Sequence, residues 1–151
     1  VLTDCSPPSV YHGLHVVVQT KQVICTIDAQ RAVSDSSFRP LSTDANWAEA
    51  RSASKTQPVL VFKHSSACPV SAKAETQLQP LAEDSALPVY RLVVQESRAL
   101  SDEIAEALDI RHETPQVIVL DDETPVFDAS HFDVTADAVR EAVQSAPSST
   151  N

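Results

Sequence analysis

The chain has 151 residues, 42% of them apolar, which is enough for one domain with a buried core. Its formal net charge is −10, which argues against nucleic-acid binding and against electrostatic attraction to a membrane. The three cysteines, Cys5, Cys25 and Cys68, do not have the spacing of a disulfide framework. With no recognisable signal peptide or membrane-spanning run, we expect a protein of the reducing cytoplasm.

Composition divides the chain into three parts. Residues 1–40 are predicted to be an N-terminal extension that is poorly ordered, although 16–18 and 23–27 have the composition of two short strands. Residues 41–146 are predicted to form the folded domain, and 147–151 a polar C-terminal tail.

The first half of the domain alternates helix and strand. A helix is predicted over 45–53, preceded by residues suited to an N-cap. The continuous apolar run 58–62 indicates a central strand. A second helix should run from Pro69 to about Glu83, with Pro80 ending or kinking it near Gln79.

The second half adds two more strands before a final helix. We predict a strand over 88–94, a helix over 101–108 with Ser101 as its N-cap, and an apolar strand over 116–120. A turn at 121–124, a short strand over 125–128 and an amphipathic helix over 135–145 complete the domain. The order α-β-α-β-α-β-β-α indicates an α/β protein with a central four-stranded mixed sheet flanked by helices, which is the thioredoxin-like order.

Cys68 lies where the first apolar strand gives way to a helix. A helix N-terminus presents unpaired N–H groups and the positive end of the macrodipole, so it favours a thiolate. Pro69 suits the first helical position because it lacks an N–H. A dithiol redox protein would carry a second cysteine three residues on, where this chain has Ser71. The pattern therefore predicts a one-thiol redox site.

Four segments match a known family in chain order: 61–65 with 67–72, Arg98 with Ser101, His112 with 114–116, and 129–131. On these segments the chain resembles the monothiol bacilliredoxins, small thioredoxin-fold proteins of the bacillithiol system. The family typically has Cys-Pro-Ile-Ser, Ser-Pro-Gln and a turn glycine where this chain has Val70, Thr114 and Glu123, and none of these departures removes a reacting group.

The resemblance implies that Cys68 attacks the mixed disulfide of an S-bacillithiolated client protein, and that free bacillithiol then regenerates Cys68. Bacillithiol would be a co-substrate, no cofactor would be bound, and a separate bacillithiol disulfide reductase would act indirectly. Ser71 is the second expected catalytic residue, either donating a hydrogen bond to the thiolate or filling the helical turn. Thr114 and Pro115 are expected to shape a substrate groove beside Pro69, with the proline in the position that is cis in thioredoxin-like proteins.

Several other residues have less definite roles. Lys63 and His64 are candidate substrate-binding cations, but alternation along a strand allows at most one of them to face Cys68. His112 and His131 match the family without an assigned role. We expect no metal site, because His64, His112, His131 and Cys68 lack ligand spacing.

Three other functions fit a C-x-x-S site on this fold. A glutaredoxin-like enzyme would use another low-molecular-weight thiol for regeneration. A non-catalytic binding or redox-sensing module would only become thiolated. A scaffold for a metal cluster, as in some monothiol glutaredoxins, would show a chromophore after reconstitution.

Overall fold

The computed structural model describes residues 37–147. The predicted strands at 16–18 and 23–27, Cys5, Cys25 and residues 148–151 lie outside this range. The elements in chain order are β1 (Arg39–Pro40), α1 (Asp44–Ser54), β2 (Val59–His64), α2 (Pro69–Ala82), β3 (Val89–Val93), α3 (Arg98–Ala107), β4 (Gln116–Asp121), β5 (Thr124–Ser130), a 3₁₀ turn (His131–Asp133) and α4 (Ala136–Ser145).

The strands form one mixed sheet in the order β1-β3-β2-β4-β5. β3 pairs in parallel with β1 and β2, whereas β4 runs antiparallel to both β2 and β5. The predicted α/β order is therefore confirmed, but the sheet has five strands where the sequence predicts four. The extra strand, β1, has two residues and lies within the range predicted as the N-terminal extension. Two residues are too few for a periodic pattern, so only pairing with β3 reveals it.

Alternation along the central strands gives the sheet two buried faces. In β2, Leu60 and Phe62 face α2 and α4, and Val59 and Val61 face α1 and α3. Trp47 of α1 belongs to the second cluster. Because β2 is covered on both faces, all six of its residues are buried, which explains its continuous apolar run.

The helix predicted from Pro69 to about Glu83 is present as α2, which ends at Ala82. The sequence predicts that Pro80 ends or kinks this helix near Gln79, and the helix does not end there. The exposed proline loses one backbone hydrogen bond on the solvent side, whereas Leu78 and Leu81 hold the last turn in the core. The predicted start of α3 is wrong, because the helix begins at Arg98 rather than after Ser101.

The early start of α3 has a packing reason. Leu100 is 5% exposed and belongs to the core cluster on the α1 and α3 face, so the first turn is held by apolar contact. Its N-cap, Ser97, makes no side-chain hydrogen bond. Ser101, expected to be the cap, is instead fully buried inside the helix.

The β4–β5 turn is anchored on the end of α1. Asp122 and Glu123 have φ values of 49° and 60°. Positive φ values at both central residues give a two-residue hairpin turn the same twist as the strands that it joins. The Asp122 N–H donates to the Ser54 carbonyl at 2.7 Å, and the Glu123 N–H donates to the Ser54 hydroxyl at 2.9 Å. The Glu123 carboxylate also pairs with Arg51 at 3.0 Å and Lys55 at 3.1 Å. These contacts hold a turn that lacks the usual glycine.

Over residues 37–147, none of the helices combines the length and the apolar character that crossing a membrane requires.

Candidate functional site

Cys68 is the N-cap residue of α2. Its backbone is extended, with φ −107° and ψ 119°, and Pro69 begins the helix behind it. The Cys68 N–H donates to the Ser65 carbonyl at 3.3 Å, and the Cys68 carbonyl accepts from the Ala72 N–H at 3.1 Å. The thiol is partly exposed. The chain therefore holds a reachable sulfur at the positive end of a 14-residue helix.

The surroundings of Cys68 favour its thiolate. Its pKa is lowered first by the hydrogen bond from the backbone N–H of Ser71, and further by the N–H of Val70 and the hydroxyl of Ser71, against a smaller opposing effect of burial. All three donors belong to the first turn of α2. The helix end itself supplies the stabilisation.

The Ser71 side chain links the cysteine to the preceding loop. It is fully buried, and its Oγ accepts a hydrogen bond from the Ser65 N–H at 3.2 Å. A hydroxyl has one proton, and accepting from Ser65 leaves that proton free for the Cys68 sulfur. This geometry allows the Ser71 hydroxyl to donate to the Cys68 sulfur while it accepts from Ser65.

Lys63 lies on the face of the sheet opposite α2. It is fully buried, and its Nζ donates to the Ser101 carbonyl at 3.0 Å. Burial lowers its pKa from 10.5 to about 8, while Asp102 acts in the opposite direction. The ammonium has no exposed surface with which to contact a substrate.

His64 lies on the same side of the sheet as α2. Only 8% of it is exposed, and its ring packs edge-on against Phe62 with the centroids 5.6 Å apart. Burial lowers its pKa, and the Glu75 carboxylate, 3.9 Å from Nε2, opposes this effect. His64 therefore packs beneath the helix and is not a surface cation.

Thr114 and Pro115 form a cis peptide bond. The Pro115 carbonyl accepts a hydrogen bond from the His131 N–H at 2.9 Å, and His131 has a left-handed φ of 56°. This contact joins the loop before β4 to the end of β5. The Thr114 side chain lines a cleft together with Ser65 of the cysteine loop, so the structure brings these two predicted segments together.

Within residues 37–147, two clefts include residues close to Cys68 in the sequence. The first, which we call the α3 cleft, has a volume of about 390 Å³ and is lined by Ser65, Val94, Gln95, Arg98, His112 and Thr114. The second, the α2 cleft, has a volume of about 190 Å³ and is lined along α2 and the 3₁₀ turn, including Val70, Lys73, His131 and Phe132. Ser65 and Val70 lie within three residues of Cys68, so each cleft includes one residue that is close to Cys68 in the sequence.

Sequence reasoning missed two residues of these clefts. Gln95 donates to the Ser65 hydroxyl at 2.5 Å and accepts from the Ser66 N–H at 3.2 Å, so it holds the cysteine loop. No local pattern marks it. Phe132 is 75% exposed, and a lone aromatic residue after the last strand was its only signal.

The histidines of the site are dispersed. His112 Nδ1 lies 3.2 Å from the Ser101 hydroxyl, and His131 Nε2 lies 3.5 Å from Glu113. Within residues 37–147, no group of three or more histidine, cysteine, aspartate or glutamate side chains is arranged to hold a metal ion.

Comparison with solved structures identifies the fold. A structure described as a candidate oxidoreductase with a thioredoxin fold is 30% identical, with a TM-score of 0.64 over 70% of this chain and 92% of its own. A mutant thioredoxin from Halobacterium salinarum is 22% identical, with a TM-score of 0.56 over 75% of this chain and 95% of its own. Fasciola hepatica thioredoxin is 16% identical, with a TM-score of 0.59 over 71% and 97%.

Comparison with protein families is more specific. The family model described as monothiol bacilliredoxin BrxC matches residues 39–139. The match begins at β1 and includes Cys68, the cis-proline loop and both clefts. Together with the one-thiol site at the head of α2, it shows that the chain belongs to the monothiol bacilliredoxin family and has a thioredoxin-like oxidoreductase fold.

Proposed function

We propose that this protein removes bacillithiol from S-bacillithiolated client proteins by thiol–disulfide exchange at Cys68. The observation that carries the proposal is the partly exposed Cys68 thiol at the head of α2, with Ser71 in the place of a second cysteine. This arrangement provides one activated sulfur and no partner sulfur in the same turn. Family membership supplies bacillithiol as the expected thiol.

In the first step the Cys68 thiolate attacks the bacillithiol sulfur of the client's mixed disulfide. A new S–S bond joins Cys68 to bacillithiol, the old bond breaks, and the client cysteine leaves as a thiolate that takes a proton from water. The hydrogen bonds that lower the Cys68 pKa raise the fraction of enzyme ready to attack. No external oxidant or reductant is consumed.

In the second step a bacillithiol thiolate from solution attacks the bacillithiol sulfur bound to Cys68. Cys68 leaves as a thiolate and bacillithiol disulfide is released. Ser71 cannot perform this step, because a hydroxyl does not exchange with sulfur. Cys68 is the only cysteine among residues 37–147, so within that range no intramolecular thiol competes with bacillithiol. A separate reductase would return the disulfide to bacillithiol, and the reducing cytoplasm would be the compartment.

The other predicted site residues fall into two groups. Ser71, Pro69, Thr114 and Pro115 border the sulfur or its groove and are proposed to position the thiolate and the incoming disulfide. Lys63 and His64 are buried. Any role of theirs is to hold the cysteine loop and α3 in position.

Intact-mass measurement of single turnovers tests the proposal. The protein is mixed with a bacillithiolated client, and then with bacillithiol or, in parallel, glutathione. We expect one bacillithiol to move to Cys68, the client to be released as a free thiol, and bacillithiol to regenerate Cys68 faster than glutathione does. A variant with Cys5→Ser and Cys25→Ser should behave like the natural chain.

Three results would contradict the proposal. Transfer that persists in Cys68→Ser would assign the reaction to another group. An unmodified Cys68 in the natural chain would favour a binding module. Equal regeneration by the two thiols would leave an oxidoreductase without bacillithiol specificity.

A further inference from the structure

The α3 cleft has features of a ligand site that the exchange chemistry does not explain. Its volume of about 390 Å³ lies within the range of small-molecule pockets. Five of its six lining residues carry polar side chains. Gln95 holds the cysteine loop, and Thr114 is proposed to position the disulfide. Arg98 and His112 have no part in the exchange at sulfur, so their presence in this cleft calls for a separate explanation.

The lining of the cleft is positively charged, whereas the whole chain is negatively charged. The chain has a net charge of −10, yet the only full charge among the lining residues is the guanidinium of Arg98. The Arg98 side chain is 73% exposed, and its pairing with Asp102 is loose, at 3.8 Å. A second cation, Lys63, lies buried behind the cleft on the Ser101 carbonyl. The Asp102 carboxylate also lies 3.7 Å from His112 Nδ1, but Asp102 does not line the cleft. The charge of the lining itself therefore suits an anion.

The cleft wall includes the N-terminal end of α3, because Arg98 is the first residue of this ten-residue helix. The side chain of its N-cap, Ser97, makes no capping hydrogen bond. The first-turn N–H groups and the helix macrodipole favour a carboxylate there. The helix end and the guanidinium act on the same region because Arg98 belongs to both.

His112 supplies a directional hydrogen bond. Its Nδ1 lies 3.2 Å from the Ser101 hydroxyl. When that hydroxyl donates to Nδ1, the neutral imidazole carries its proton on Nε2 and can donate it to a ligand oxygen. Thr114 adds a hydroxyl on the same side. The donors therefore suit a ligand that carries carboxylate and hydroxyl groups.

The cleft is connected to the reacting sulfur through Ser65. The Ser65 carbonyl accepts the Cys68 N–H at 3.3 Å, and the Ser65 side chain forms part of the cleft wall. We propose that the α3 cleft is a recognition subsite for the carboxylate-bearing end of the low-molecular-weight thiol, with Arg98 and His112 as its specificity-determining residues. This inference rests on the proposed exchange reaction and adds how the thiol is selected.

Substrate selectivity in single turnovers tests the subsite. One client is prepared as two mixed disulfides, one with bacillithiol and one with cysteamine, which has no carboxylate. In Arg98→Gln we expect transfer from the bacillithiol form to slow about tenfold, as the loss of one charge-assisted hydrogen bond implies. Transfer from the cysteamine form should change by less than about twofold, since an exposed charge alone contributes little.

Arg111→Gln is the matched control. Arg111 is one residue from His112, its side chain is 89% exposed, and it does not line the cleft. The same loss of charge there should leave both rates within about twofold, since exposed charges contribute little. Equal slowing of both substrates by Arg98→Gln, or no slowing of either, would overturn the subsite while leaving exchange at Cys68 intact.

A binding measurement separates the subsite from the reaction. S-Methyl bacillithiol, which cannot exchange, is titrated into Cys68→Ser and followed by amide NMR. We expect shifts at Arg98, His112 and Thr114 that disappear when Arg98→Gln is added. Shifts confined to the α2 cleft, or none at all, would overturn the subsite even if the natural enzyme turns over. Failure of the natural enzyme to accept bacillithiol would instead overturn the proposed function, and this titration would still decide the subsite.

Discussion

Replacing Lys63 with methionine should change how the stability of the protein depends on pH. The lysine is fully buried, and burial lowers its pKa from 10.5 to about 8. Below pH 8 the lysine is protonated in both the folded and the unfolded chain, so the cost of burying its charge is present in full. As pH rises through 8 the folded protein releases the proton while the unfolded chain keeps it, so stability increases.

The two pKa values set the size of the effect. Between pH 7 and pH 10 the lysine should make the natural protein more stable by about 2.5 kcal/mol, at about 1.4 kcal/mol for each pH unit of the window. Lys63→Met has no proton to release there. The difference in unfolding free energy between the two proteins should therefore shift by that amount in favour of the natural chain as pH rises.

Urea unfolding at pH 7, 8.5 and 10 measures this difference. Lys73→Met is the control, because it removes an exposed lysine of α2, whose charge is not buried when the protein folds. A Lys63→Met difference that stays constant from pH 7 to pH 10 would refute the reasoning, since it would mean that the ammonium is solvated in the folded protein.

Three other substitutions test the contacts of Cys68 and those of the β4–β5 turn. Ser71→Ala should raise the Cys68 pKa, because it removes one of the hydrogen bonds to the thiolate, and ultraviolet absorbance of the thiolate against pH measures it. Ser54→Ala should lower the unfolding free energy by about 1–2 kcal/mol, because the buried hydroxyl accepts the Glu123 N–H; Ser52→Ala, exposed in the same helix, should not. Glu123→Gln should remove a contribution to stability that is present above pH 4.5 and lost in acid, since nearby cations lower the Glu123 pKa; unchanged acid unfolding would contradict this.

The N-terminal end of α2 was predictable because interactions between neighbouring residues determine it. A buried strand, a cysteine and a proline at the first helical position are consecutive in the sequence, and each constrains its neighbour. The structure has the same boundary, with Pro69 as the first residue of α2. Residues suited to an N-cap precede the first predicted helix, and Thr43 accepts the Asn46 N–H there.

Contacts between distant segments were not predictable from local patterns. Alternation shows that Lys63 and His64 point to opposite faces, but not that both faces are covered there. The burial of Lys63 depends on α3, which begins earlier than its serine pattern suggests because Leu100 enters the core. The α3 cleft is built from three loops and the first residue of α3, so no single stretch of sequence describes it.

In the proposed cycle, the hydrogen bonds that reach Cys68 would also affect how long the enzyme carries bacillithiol on Cys68. A disulfide sulfur carries no negative charge, so the N–H groups of Val70 and Ser71 and the Ser71 hydroxyl interact with it more weakly than with the thiolate. A thiol of low pKa is also the better leaving group. In the proposed cycle, the first turn of α2 therefore drives the enzyme out of its modified state, which lets a protein with one reactive sulfur turn over rather than remain capped.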